Sequence, residues 1–397
     1  LSGGDIDNPV LWIPIKPYYG VFDGGNKSIA NMYIEDWRLD PDGSACREAI
    51  QGLFGTVYKE VRNVRIASGE IRGGRHSGGI TGDLYEGGII RNCSNNANIT
   101  TEGTYIGGIA GFSGEKVTFI NCYNTGNITA TVSVVGGITS YCGKSNCRYE
   151  NCYNTGKLIG SKVGVLWADG TNGQVVNCFY DRETSGTSTG KGARSMTTAQ
   201  MQSWAAAYAL NGQSLTQTNE SGLSWSYDPD INDGYPYLSP EGLRPANSWQ
   251  EIGQGMLDGL IAADKLTNTS GTYHIKSAEQ LAAFSALVNS GSTGINALLE
   301  IDIDLAGEVY GGSREEPIPW IPIGTEENFY RGTFDGNGKA VGHMKVEQSG
   351  YAGMFGCAGG GAVIKTLGLD TTCSVKALSS STSTSAFVGA VKSVANA

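Results

Sequence analysis

The side chains best suited to chemistry in this 397-residue chain are nine cysteines, three histidines and a few grouped carboxylates. Four cysteines follow an asparagine at a near-constant interval, at Asn92-Cys93, Asn121-Cys122, Asn151-Cys152 and Asn177-Cys178, with successive spacings of 29, 30 and 26 residues. Zinc sites draw on closely spaced thiol and imidazole ligands. Here no Cys-x-x-Cys occurs, and His76, His274 and His343 do not adjoin a cysteine. An odd number of cysteines also argues against a complete disulfide framework. A small, easily buried thiol recurring at a fixed period suits an inward stack, with bridges between neighbouring coils as the lesser alternative. Cys142 and Cys147 flank a Gly-Lys-Ser-Asn turn, where a local bridge is a second possibility.

The carboxylates read as turn-formers before they read as catalysts. Asp5/Asp7 and Asp302/Asp304 sit in matching Ile-Asp-Ile-Asp or Asp-Ile-Asp phrases, and Asp23 and Asp335 sit in Asp-Gly turns. Recurrence at corresponding places favours a structural role. Asp228, Asp230, Asn232 and Asp233 form the richest oxygen cluster, and calcium takes several such ligands. Gly234 falls one place late for an EF-hand and no Glu closes the loop, so an Asx-type turn is expected, with calcium as the alternative. Gly143-Lys144-Ser145 lacks the upstream glycine of a phosphate loop. The reading therefore assigns no catalytic residue, metal or cofactor.

Composition narrows the partners. With 28 basic and 38 acidic side chains the formal charge is −10, which repels nucleic acid and anionic lipid. No run of 18 apolar residues offers a membrane-spanning helix. The 59 glycines exclude a long helical bundle, because glycine is costly inside helices.

A second marker keeps the cysteine period: Gly78-Gly79-Ile80, Gly107-Gly108-Ile109, Gly136-Gly137-Ile138, then Val163-Gly164-Val165. Between markers lie β-forming residues broken by Gly, Asn and Ser. One repeat per coil of a right-handed parallel β-helix is the architecture this predicts, all-β, with equivalent residues stacked about 4.8 Å apart. If each Cys points inward, strand alternation turns the next residue out, so Tyr123, Tyr153 and Phe179 are expected as an exposed aromatic ladder able to bind a ligand.

Such stacks need closing elements, since an open end is a bare strand edge. The sequence predicts one capping helix at about 197–212, with Met201, Trp204 and Tyr208 on one face, and another at about 277–290, opened by Ser277 and Gln280. Trp12-Ile-Pro-Ile15 and Val21-Phe-Asp23 return as Trp320-Ile-Pro-Ile323 and Thr333-Phe-Asp335. The domain reading is thus a module over 1–240 and the start of a similar one over 241–397, in a chain expected to belong to something longer.

Gly52-Leu-Phe-Gly55, Gly353-Met-Phe-Gly356 and the Asn-Cys-Tyr-Asn-Thr-Gly phrases at 121–126 and 151–156 resemble the GLUG-motif family of bacterial secreted and surface proteins. The resemblance implies export, a cell-surface location and an adhesin-like role. Segments of immunoglobulin A metallopeptidases belong to that family as well, but their His-Glu-x-x-His motif is absent, so no proteolysis carries over. The function expected is a non-catalytic module binding a host or cell-envelope protein or glycan. A carbohydrate-active enzyme on the same scaffold and a purely structural stalk are the alternatives.

Overall fold

The computed structural model describes residues 10–36, 49–143, 146–171, 173–216, 222–378 and 383–392. Asp5, Asp7 and Cys46 lie outside them. The chain is mostly β, 42% strand against 11% helix, and divides into two compact units, 1–201 and 202–397.

In the first unit the strands form three sheets of 11, 8 and 5 members, in which the β-ladders all run parallel. Neighbouring strands come from successive repeats: Phe119 pairs with Ile90 and Tyr149, Ile99 with Ile71 and Ile128, Ala110 with Thr81 and Thr139. The sequence period is therefore the sheet register. All three sheets contribute to one core, where Ile71, Ile90, Ile99, Phe54, Phe119 and Leu84 are buried together. Each such side chain removed from water contributes about 1.5–3 kcal/mol.

The Asn-Cys steps form two interior columns. Asn63, Asn92, Asn121, Asn151 and Asn177 all adopt left-handed backbone, with φ between 50° and 58°. Asparagine tolerates that region better than most residues. Each amide Nδ2 donates to the Oδ1 of the repeat before it, at 2.9–3.1 Å, and Asn63 donates to Asp23 at 2.9 Å. Beside this ladder, Cys93, Cys122, Cys152 and Cys178 are buried as free thiols, and burial pushes the Cys93 thiol up to about 12. The inward cysteine stack read from the sequence is present. Cys142 and Cys147 are also buried free thiols, so neither alternative bridge is formed.

The Gly-Gly marker follows from the same packing. A Cβ on Gly78, Gly107, Gly136 or Gly164 would strike the carbonyl three residues ahead, at a tight turn between two sheets. A Cβ on Gly79, Gly108 or Gly137 would strike Asn95, Asn124 or Asn154. Those asparagines make a second buried ladder, Asn95 donating to Asn124 and Asn124 to Asn154 at 2.9 Å.

The helical segment near 197–212 is two helices, Thr198–Met201 and Trp204–Leu210. Ser203 breaks it: its φ of −139° is extended, and its hydroxyl accepts from Ala206 N as the cap of the second helix. Trp204–Leu210 falls in the second unit, stacking Trp204 on Tyr208 with Tyr310 5.5 Å from Tyr208. The unit boundary accordingly stands at 201/202, where the sequence reading placed it at 240/241. A helix at Trp249–Leu257, not anticipated, packs there as well. The helix expected at 277–290 is Ala278–Asn289, capped by Ser277, which accepts from Gln280 N. That helix joins the first two strands of a second parallel series, Thr272–Ile275, Asn296–Leu299, Thr333–Asp335 and Val363–Lys365.

Candidate functional site

Tyr123, Tyr153 and Phe179 do stack in register, and the first two rings lie 4.9 Å apart and nearly parallel. They are not exposed, at 2%, 0% and 4% of their surface. The alternation argument fails because left-handed Asn121 and Asn151 turn the backbone immediately before each cysteine, so one strand does not run through the corner. This ladder supports the fold and offers no surface.

Exposed aromatic surface lies elsewhere in the first unit. After the strands Phe54–Val57 and Thr81–Leu84, Tyr58 and Tyr85 lie 4.6 Å apart with their planes tilted by 33°, and Tyr19 stacks on Tyr58 at 4.4 Å. Tyr19 and Tyr85 are 65% and 55% exposed. Loss of solvent, then the adjacent Tyr19 and Tyr85 phenols, raises the Tyr58 pKa above its ordinary range.

A second aromatic row adjoins it, formed where His76–Gly78 turns tightly into Thr81–Leu84 and where the same turn recurs in later repeats. Along one sheet the half-buried positions are Thr56, Asp83, Phe112, Tyr141 and Asp169 in register. Along the other they are Ile50, His76, Tyr105 and Val134, with the exposed Lys162 next in register. Next to them Val57, Leu84, Ser113 and Cys142 turn inward, so alternation presents Thr56, Asp83, Phe112 and Tyr141 on the outer face. The rows touch: His76 stacks on Phe112 at 5.6 Å, Tyr105 lies 5.3 Å from Phe112 and 5.5 Å from Tyr141, and Phe112 stacks on Tyr141 at 5.0 Å.

Two polar pairs bracket the rings. His76 Nδ1 meets Asp83 Oδ1 at 2.6 Å, and Lys162 Nζ donates to Asp169 Oδ1 at 2.6 Å. The Lys162 hydrogen bond holds the Asp169 carboxyl below its usual range. His76 Nε2 is buried and makes no hydrogen bond. The result is a strip of ring faces edged by polar atoms, suited to sugar C–H faces and hydroxyls or to a flat protein surface. Sequence reasoning missed it because the tyrosines do not share the Asn-Cys phrase. The signal was present in a different column, the residue after each inward-facing Val57 or Leu84.

The carboxylates behave as turn-formers. Asp302 accepts from Ala340 N, Asp304 from Ala306 N and from the His343 ring, and Asp23 and Asp335 accept from Gly25 N and Asn337 N. Asp228 accepts from Asp230 N in an Asx turn. Among the described residues no group of three or more His, Cys, Asp or Glu could hold a metal ion. Nor is any described helix long and apolar enough to cross a membrane.

No family model matches the chain, and no curated protein matches it. A crystal structure from Bacteroides ovatus, called a "putative immunoglobulin A1 protease", is similar to it at 20% identity, with a TM-score of 0.40. The similarity covers 56% of this chain and 78% of that one. A likeness of that size carries no argument about what this chain does.

Proposed function

We propose that the chain is a right-handed parallel β-helix module of an exported, adhesin-like bacterial surface protein that binds glycans along its outer aromatic strip. The observation that carries the reading is the strip itself. Tyr19, Tyr58 and Tyr85 continue toward His76, Phe112, Tyr105 and Tyr141, a face whose rings are held in place by the repeat register. Rings fixed by a ladder lose little freedom when a ligand arrives, which favours binding through many modest contacts. The β-helix reading is supported by the parallel registers at the sequence period and by the single core shared by three sheets. The GLUG-type phrases support the placement, since Gly52 and Gly353 both leave room for a close backbone approach.

Glycan-array screening followed by calorimetry tests the reading. Tyr58→Ala with Tyr85→Ala should weaken binding at least about tenfold, at 1–3 kcal/mol per lost stacking contact of this kind. Unchanged affinity in a folded double variant, or no glycan bound by the wild type, defeats it. The His76–Asp83 pair beside the rings favours one other reading, a carbohydrate-active enzyme with His76 as general base. New reducing ends or unsaturated sugars, lost in His76→Asn, would move the assignment there.

A further inference from the structure

One corner of the first unit places two thiols where the matching corners of other repeats place different residues. Leu84 pairs with Ser113, and Phe112 and Tyr141, the residues before Ser113 and Cys142, pair in the same register. Cys142 therefore takes the inward place of Leu84 and Ser113. Ile89, Thr118, Arg148 and Gln174 are in register across the corner, and the residues before them are Gly88, Val117, Cys147 and Gly173. Cys147 accordingly takes the place of Gly88 and Val117.

The two thiols meet. The Cys142 and Cys147 side chains hydrogen-bond to each other, the Cys147 amide donates to the Cys142 sulfur, and the Gly143 amide donates to the Cys147 sulfur. Sulfurs already facing one another across a short turn can join with little movement of the chain.

Both cysteines are fully buried, yet the cover is thin. The next rung sets Gly170 against Cys142 and Gly173 in the place of Cys147, so no side chain stands over either sulfur from the positions in register. A Cβ on Gly170 would strike Cys142 O, and one on Gly173 would strike the Tyr149 ring, which keeps both positions bare. Between them Thr171 is exposed, with its amide on Cys142 O at 3.3 Å and its hydroxyl on Gly143 O. The thiols of the Asn-Cys column touch as well, Cys122 with Cys152, but those sit on different rungs beside the buried asparagine ladder.

The surroundings of Cys142 also suit a thiolate. Tyr149 OH is buried beside it without a hydrogen-bond partner, and a buried donor left unmet calls for a reason. Hydrogen bonding from the Cys147 thiol outweighs burial and holds the Cys142 thiol below its ordinary range. The thiolate is the attacking species in disulfide exchange.

We propose that Cys142 and Cys147 are a redox-active pair, free thiols in the reduced chain and closed to an intramolecular disulfide by exchange with a small-molecule disulfide. Cys142 attacks one sulfur of the oxidant RSSR, the S–S bond breaks, and RS⁻ leaves with the Cys142 proton as RSH. Cys147 then attacks the Cys142 sulfur of the mixed disulfide and expels the second RS⁻, which takes the Cys147 proton. Two protein thiols are oxidised and one RSSR is reduced to two RSH. The bridge forms whether or not the aromatic strip holds a glycan, so a negative result here leaves that reading standing.

The test mixes the folded, fully reduced 397-residue chain with oxidised glutathione, quenches by alkylation at intervals and maps the cysteines by mass spectrometry after proteolysis. A bridge between Cys142 and Cys147 should form at least about tenfold faster than any modification of Cys93, Cys122, Cys152 or Cys178. Cys147→Ser should hold one glutathione on Cys142, and Cys142→Ser should take up none on Cys147. The proposal is overturned if Cys142 and Cys147 stay alkylatable while the column reacts, or if either pairs with another cysteine. A folded Cys147→Ser chain with Cys142 unmodified overturns it as well. Should a serine variant fail to fold, the wild-type map decides by itself: a 142–147 dithiol that survives the oxidant intact ends the proposal.

Discussion

Asn121 shows how one side chain can serve three constraints. Its backbone is left-handed at φ 52°, its Nδ2 donates to Asn92, and its Oδ1 accepts from Asn151. Asn121→Ala leaves Asn92 and Asn151 each short of a ladder bond in a buried column, at about 1–3 kcal/mol for such unmet polar groups. It also places a Cβ residue where the left-handed backbone costs roughly 1–2 kcal/mol. Asn121→Gly keeps the first loss and relieves the second. Urea unfolding should therefore rank wild type above Gly and Gly above Ala, the last two separated by about 1 kcal/mol. Equal stability of the two variants would mean that backbone strain plays no part at the corner. At this scale the sequence was legible where a residue repeats, as with the inward thiols. It misled where a fixed alternation was carried across a left-handed corner, which is why Tyr123 and Tyr153 are inside.

Elements were legible when their ends carry side-chain caps. Ser277 and Gln280 announce the helix Ala278–Asn289, and the bonds Gln280 N to Ser277 Oγ and Lys276 N to Gln280 Oε1 are both made. Trp249–Leu257 was hidden by its two glycines, which a propensity scale counts against a helix. Their use is contact: a Cβ on Gly253 would strike the backbone of Ala282, and one on Gly255 would strike the Ala205 side chain. Trp249, Ile252 and Met256 at helical spacing were the available signal. Propensity alone says that Gly253→Ala should stabilise the protein by about 1 kcal/mol. Packing says the reverse, since two helices must separate to admit the methyl, at a cost of about 1–3 kcal/mol. Thermal unfolding of Gly253→Ala should therefore show a lower midpoint, and a higher one would mean that the helices part easily. The same reasoning separates the GLUG-type glycines from turn glycines: neither Gly52 nor Gly353 has positive φ, and close backbone neighbours are what exclude a side chain at both.

Across the whole molecule, the repeated rung at Trp12–Asp23 and Trp320–Asp335 was readable as two copies of one phrase, because the same residues must make the same bonds wherever that turn is built. The ligand was not readable, since a strip of rings accepts any sugar face. Charge narrows the choice. The chain carries −10, and the cation on the strip, Lys162, is engaged by Asp169, while His76 is engaged by Asp83. A neutral oligosaccharide meets the rings without an electrostatic cost. A uronate-rich or sulfated one of the same length approaches an acidic surface and, among the described residues, meets Lys162 and His76 already paired with carboxylates. At low salt the neutral ligand should bind more tightly, by roughly tenfold if the difference is about 1.4 kcal/mol. The gap should close as ionic strength rises, because the Debye length shrinks to about 8 Å at 0.15 M and the general repulsion is screened. Affinities of matched neutral and anionic oligosaccharides, measured from 20 mM to 500 mM salt, decide the matter. A preference for the anionic ligand that weakens steeply with salt would show that binding is led by cations outside the aromatic strip.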